Sequence, residues 1–216
     1  MNPRQLFIAT RNPHKLREIA ALLADLEFEL RSGVDASDAP EVVEDGVTLE
    51  ANASKKAREL CTWSGLRTLA DDSGLEVDAL GGAPGVLSAR YAGVGCSFAD
   101  NNRKLLEALA AVADERRTAR FRCVMALATP RGERAGSGPE GTAPCDIELF
   151  EGRIEGRITR SPRGAGGFGY DPVFYVHTQA CTLAEMEPER KNRISHRARA
   201  LAAVRQHLLS EWPGRG

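Results

Sequence analysis

The sequence lacks the features that mark several large functional classes. Its 29 basic and 30 acidic residues leave a net charge of -1, so it has no global positive field of the kind that non-specific nucleic-acid binding requires. A nucleic-acid polymer is therefore not an expected partner. No stretch reaches the ~20 consecutive apolar residues of a membrane span. The opening Met1-Asn2-Pro3-Arg4-Gln5 leads into an apolar run too short for a secretory h-region. The expectation is a cytoplasmic protein that engages no membrane. Five cysteines (Cys61, Cys96, Cys123, Cys145 and Cys181) are odd in number and scattered, with no C-x-x-C pair. That argues against a disulfide framework or a zinc knuckle and leaves reduced, packed thiols. No linker or internal repeat divides the chain. Its 216 residues, 42% hydrophobic and 27% charged, suffice to bury a full core. One domain over residues 1–216 is expected, bilobal at most.

What is present centres on Leu69-Ala70-Asp71-Asp72-Ser73-Gly74-Leu75. A short apolar approach followed by two carboxylates, a hydroxyl and a glycine reads as a strand that stops and delivers its charges into a turn. Successive side chains of an extended segment point to opposite faces, so Asp71 and Asp72 serve one site only if the turn begins between them. Carboxylate oxygens are the ligands Mg²⁺ takes, with water and substrate phosphate completing its shell. The same residue types also make an ordinary turn, and the stretch alone does not separate the two readings.

Upstream, Gln5 to Ala9 reads as a buried strand, and Leu16, Ile19, Ala20 and Leu23 recur at helical spacing. Asn12 is a favourable N-cap and Pro13 suits the first helical position, so the helix begins there. A strand feeding a helix N-terminus, with Thr10, Asn12 and Lys15 around it, suits an anion; any capped helix after a strand looks similar. Gly33 to Gly46, with Glu41, Glu44 and Asp45, reads as a solvated loop. A helix from Leu49 to Cys61 follows. Its adjacent Lys55 and Lys56 point about 100° apart, so at most one of them serves a site.

Leu75 to Leu80 alternates, and Gly81 to Val86 is a loop. Ser97-Phe98-Ala99-Asp100 has the form of a capping box with Asp in place of Glu, opening a helix with Leu105, Leu106 and Leu109 on its apolar side. Ala119 to Ala128 and Asp146 to Phe150 are neighbouring strands joined by a Thr129 to Pro144 hairpin, and Gly152 to Ile158 is a further strand. Gly164, Gly166 and Gly169 match G-x-G-x-x-G, but Asp171-Pro172 leads into a strand rather than a helix, which excludes the dinucleotide-binding reading. The glycines instead allow a tight backbone path past a ligand. Phe168 between them is either a stacking surface for a base or a core anchor. Ser195 caps a last helix that buries Leu201, Val204 and Leu208, with Lys191, His196 and Arg197 at its start. There the dipole disfavours cations unless an anion is near; a solvated basic face is the competing reading.

The ordered set is Thr10-x-Asn12-x-x-Lys15, Glu50-x-Asn52-Ala53-x-x-Lys56-Ala57, Ala70 to Leu75, Gly81-Gly82-Ala83-Pro84-Gly85, Ser88-Ala89-Arg90-Tyr91, Gly166 to Pro172 and Ser195-His196-Arg197. It closely resembles the inosine/xanthosine triphosphate pyrophosphatase family, from Thr10 to the last helix. The resemblance implies an α/β fold in which a long mixed sheet with flanking helices forms two lobes around a central cleft, as a homodimer. It implies Mg²⁺-dependent hydrolysis of ITP, dITP and XTP to the monophosphate and pyrophosphate. By the same resemblance Asp72 is the general base and, with Glu44, a metal ligand, while Asp71 assists it or replaces it as ligand. Thr10, Arg11, Asn12, Pro13, His14 and Lys15 hold the triphosphate and Lys56 neutralises it. Ser73, Phe168, Gly169, Tyr170 and Asp171 line the nucleoside pocket, which Lys191, His196 and Arg197 complete. Arg11 departs from the family's usual glycine and either adds a phosphate contact or points to solvent. The alternatives are a pyrophosphatase for pyrimidine or modified nucleotides and a nucleotide sensor without turnover.

Overall fold

Leu6, Phe7 and Ile8 form an unbroken apolar run because the strand that carries them, β1 (Arg4–Ile8), lies inside a sheet and is buried on both faces. It pairs in parallel with β2 (Phe28–Ser32) on one side and β3 (Thr68–Val77) on the other. The protein, described by a computed structural model over residues 4–131 and 145–211, is built on one open mixed sheet of eight strands. Besides the first three, these are β4 (Pro84–Gly85), β5 (Thr118–Pro130), β6 (Cys145–Ile158), β7 (Phe174–Val176) and β8 (Cys181–Thr182). The strand order is β2-β1-β3-β5-β6-β7-β8, with β4 added antiparallel to β3 at Leu75–Gly85 and Glu76–Pro84. Most of the expected Thr129 to Pro144 hairpin lies outside the described residues. No described helix is long and apolar enough to cross a membrane.

The chain divides into two compact units. The first comprises residues 1–72, 124–151 and 200–216. It carries helix α1 (Pro13–Leu23), which buries Ile19 and Leu23, and α2 (Leu49–Ser64), which buries Asn52, Ala53, Ala57, Leu60 and Cys61. Helix α2 runs three residues past the expected end at Cys61 and stops at Gly65, whose φ of 67° suits the left-handed cap that glycine adopts at little cost. The second unit, residues 73–123 and 152–199, carries α3 (Phe98–Ala108), α4 (Pro188–Ile194) and the first turn of α5 (His196–Glu211). Its core gathers Leu75, Leu105, Leu109, Phe121, Ile154, Val173 and Phe174. The Ser97–Asp100 capping box is formed as expected.

Several features differ from the sequence expectation, among them β4 inside the expected Gly81 to Val86 loop. No turn follows Ala70: Asp71, Asp72, Ser73 and Gly74 lie inside the ten-residue β3, which runs on beside β5 from its pairing with β1 to its pairing with β4, so sheet pairing outweighs local turn preference. The two expected strands between Asp146 and Ile158 are one strand, β6. Its Gly156 is required by packing, since a Cβ there would lie 2.5 Å from the Tyr175 carbonyl oxygen. Strand β2 was not anticipated, nor was α4. Lys191 therefore sits in the last turn of α4, where the dipole favours a cation, and not at the start of α5. Arg117, from the charged run after α3, is only 2% exposed. Its guanidinium donates to the carbonyls of Leu109, Ile158 and Thr159 at 2.6–2.8 Å.

Candidate active site

In the first unit, four separate segments bring charge together. Asn12 caps α1 by accepting from the His14 and Lys15 amides at 2.9 and 3.3 Å, and its own amide donates to Thr10 Oγ1. Lys15 Nζ lies 2.8 Å from Asp71. From α2, the buried Asn52 donates to Asp72 Oδ2 at 3.0 Å and accepts from the Gly46 amide at 2.7 Å. One turn on, Lys56 pairs with Glu44 of the acidic loop. Lys55 turns outward to Asp45, so only one of the two lysines joins the cluster, as the helical geometry requires.

The electrostatics follow from burial and crowding. Asp72 is 7% exposed; burial raises its pKa, the Asn52 amide opposes the rise, and the Glu44 carboxylate adds to it. Burial works to depress the Lys56 pKa, but Asp71, Glu44 and Asp72 together hold it above the ordinary lysine value. The result is three carboxylates and two ammonium groups, with Asn52 steering one carboxylate. A hydrogen bond of this charged type contributes roughly 1.5–3 kcal/mol.

Asp71 and Asp72 differ in their nearest partners, Lys15 and Asn52 respectively, as neighbours along a strand should. Arg11 donates to the Ala39 carbonyl, which ties it to the loop after β2. His14 is exposed and meets Arg17. Asn52 is the functional candidate that sequence reasoning left without a role. Its signal was present, since Asn52 and Lys56 are four apart on a helix and share a face.

In the second unit the glycine-rich loop 161–170 is held by its own short contacts. Gly167 has φ 72°, and a Cβ there would fall 2.1 Å from Asp171 Oδ2. That oxygen accepts from the Phe168 amide at 2.8 Å and from Lys191 Nζ at 2.9 Å. Asp171 and Lys191 form a buried ion pair at 3% and 6% exposure. Breaking such a pair from one side costs about 3–5 kcal/mol. Lys191 Nζ lies 4.9 Å and the Arg197 guanidinium 5.8 Å from the centre of the half-buried Phe168 ring. Tyr170 Oη donates to the Ser88 carbonyl at 2.9 Å, and Ser88 Oγ accepts from the Leu75 amide. His196 is buried, its ring stacked on Phe121 at 4.8 Å.

A cavity of about 620 Å³ is lined by α3 residues Phe98, Asn102 and Leu106 and by Gly164 to Gly169. Phe168 and Gly169 border it; Asp171, Lys191, His196 and Arg197 do not. Asn102 donates to the Gly169 carbonyl and fixes that part of the loop. Ser73 opens this unit, directly after Asp72 in β3. Elsewhere in the first unit, Glu148, His207 and Glu211 bring ligand atoms within 4.8 Å of one another. This trio includes neither Glu44 nor Asp72, and Arg67 already pairs with Glu211 at 2.5 Å, so it forms an ion network.

Comparison with known proteins gives one consistent result. A sequence profile of the Ham1 family matches residues 6–207. A dITP/XTP pyrophosphatase of Geobacter sulfurreducens is 51% identical over 210 residues, 97% of this chain and 98% of its own length. One from Geobacillus kaustophilus is 45% identical, with 99% and 98% covered. Among solved structures, a HAM1 protein from Coxiella burnetii superposes with a TM-score of 0.81 at 42% identity, covering 96% of this chain and 99% of its own. The Staphylococcus aureus Ham1 protein gives 0.80 at 34%, covering 96% and 100%.

Proposed function

Because this chain belongs to the Ham1 family, we propose that it is a hydrolase that cleaves deaminated purine nucleoside triphosphates, ITP, dITP and XTP, to the monophosphate and pyrophosphate. The observation that carries the reading is the first-unit cluster: a buried, pKa-raised Asp72 steered by Asn52, with Lys15 and Lys56 beside the carboxylates. Water attacking the α-phosphorus needs a carboxylate to take its proton, and Asp72 above its raised pKa is that base. The Thr10–Lys15 segment offers capped-helix amides and an ammonium to phosphate oxygens, and Lys56 adds a second cation.

Glu44 and Asp72 would hold Mg²⁺. The donors are hard carboxylate oxygens, and the repulsion from Glu44 that raises the Asp72 pKa is what a bound dication would relieve. When bound, Mg²⁺ neutralises phosphate oxygens and polarises a water.

Specificity is assigned to the second unit. Hypoxanthine and xanthine present a carbonyl at position six, which Lys191 and Arg197 can meet with donors, while Phe168 offers a ring for stacking. Adenine presents an amino group there and would leave those donors unmatched, a mismatch that reaches ~10⁴-fold in a dry pocket. The family resemblance further supports a homodimer, which sedimentation would test.

With Mg²⁺, the protein should release pyrophosphate from ITP, dITP and XTP far faster than from ATP or GTP, and chelation should stop it. Release of orthophosphate would refute the reaction. Turnover of pyrimidine triphosphates at equal rates would support the broader pyrophosphatase, and binding without turnover the sensor.

A further inference from the structure

On the second unit, a recess of about 210 Å³ is lined by Asp114, Arg157, Thr159, Arg160, Ser161 and Arg163; it reaches the start of the glycine-rich loop but includes none of the residues assigned above to metal or substrate. Three arginines here are spaced three residues apart, at the end of β6 and just beyond it. They are not equivalent. Arg160 is spent on structure, donating to Asp114 at 2.7 Å and to the carbonyls of Ala110 and Val112. Among the described residues Arg163 has one ion-pair partner, Glu185, at 3.9 Å. Arg157 makes no ion pair with any described residue, and its Nε is buried without a hydrogen-bond partner among them.

Both Arg157 and Arg163 lie over one aromatic ring, their guanidinium carbons 5.0 and 5.2 Å from the centre of Tyr175. The ring's face holds each cation without neutralising it. The backbone that presents them is pinned. Arg157 stands opposite Tyr175 in the β6–β7 ladder. The Arg163 amide donates to the Pro172 carbonyl at 2.8 Å, and its own carbonyl accepts from Thr182 Oγ1 at 2.9 Å. Burial first pushes the Arg117 pKa down; Arg160 adds to the shift, Asp114 opposes it and Arg157 adds a smaller push. The recess is lined by three arginines and one carboxylate, Asp114.

We propose that Arg157 and Arg163, with the Ser161 hydroxyl, form a binding site for a phosphate group, either inorganic phosphate or the terminal group of a phosphate monoester. A phosphate dianion balances the local charge, and its oxygens match the planar donor forks of two guanidinium groups. The volume suffices: a water takes about 30 Å³, so the recess holds a tetrahedral oxyanion with part of its hydration. This site owes nothing to the pyrophosphatase reading, since no residue is shared.

The test follows the arginine Nε–H signals of the full-length protein by ¹H–¹⁵N NMR in Mg²⁺-free, low-salt buffer, titrating with inorganic phosphate and separately with ribose 5-phosphate. Two signals, assigned through Arg157→Gln and Arg163→Gln, should shift and saturate. Each single variant should weaken binding at the remaining arginine by on the order of tenfold, the loss of one charge-assisted contact. Arg157→Lys, which keeps the charge but not the fork, should also weaken it, and Arg153→Gln should leave it unchanged. Tighter binding of ribose 5-phosphate would identify a monoester as the ligand; equal binding would identify the bare phosphate group. The proposal falls if neither signal saturates by ~10 mM phosphate, if chloride at equal ionic strength gives the same shifts, or if Arg163→Gln leaves the Arg157 response intact.

Discussion

The two clusters of candidate residues are built by opposite means. In the first unit Lys15, Glu44, Asn52, Lys56, Asp71 and Asp72 come from a helix, a loop, a second helix and a strand, and they hold one another through opposite charge. In the second unit Phe168, Tyr170 and Asp171 come from one glycine-rich loop, which backbone fit and the Asp171–Lys191 pair hold in shape. Dispersed charges suit chemistry that must move a proton and steady a polyphosphate. A rigid loop suits the reading of a flat ring. On the proposed reading the first cluster cleaves and the second recognises the base, and that division can be broken at several points.

The largest effect should come from Asp72→Asn, which removes the base and should lower kcat by ~10²–10⁴ in the pyrophosphate-release assay. The same variant should be no less stable when metal-free. The folded carboxyl has a raised pKa, so its contribution to stability is complete below the unfolded value of 3.8 and is lost as pH rises through the folded value. At neutral pH the charged form is therefore a burden that Asn removes, and a thermal midpoint at or above that of the wild type checks it. A lower midpoint would recast Asp72 as structural.

Next in size, Asn52→Ala should cut kcat by roughly 10–100-fold with KM little changed, because it frees the Asp72 carboxylate from its orienting donor. Asn52→Asp should be worse than Ala, since it places another negative charge against Asp72. If instead KM alone rises, the Asn52 contact orients substrate and not the base. Phe168→Ala should act in the other unit: KM for ITP rises by about 10-fold from lost stacking, with kcat for saturating substrate largely kept.

The smallest effect is one of pH on a cap. The Ser97 hydroxyl and backbone amide hold the Asp100 carboxyl down at about 2, against 3.8 unfolded. Its contribution is present above 3.8 and disappears as pH falls through about 2. Faster amide exchange in the first turn of α3 over that interval checks the assignment.

How much was legible in the sequence depended on how local its cause was. The start of α1 at Asn12-Pro13, the Ser97 capping box and the rejection of a dinucleotide fold from Asp171-Pro172 all rest on neighbours within a few residues, and all hold. The expected turn at Asp71-Asp72 failed because it ignored the flanking strands, whose ladder partners lie far away in the chain. The burial of Arg117 was not foreseen because two of its three carbonyl partners, at Ile158 and Thr159, are more than forty residues distant. Asn52 belonged to a legible motif, but its partner Asp72 is twenty residues on. The family resemblance named Lys56 and not Lys55, and the Lys56–Glu44 pair agrees with it; only the geometry gave Asn52 its partner and tied Arg11 to Ala39.

The division of labour is tested most directly by the ratio of kcat/KM for ITP to that for ATP in Asp72→Asn and in Lys191→Met, measured beside the wild type. The account predicts that Asp72→Asn lowers both rates together and leaves the ratio where it was, whereas Lys191→Met collapses the ratio. A ratio that falls in Asp72→Asn and survives in Lys191→Met would contradict it.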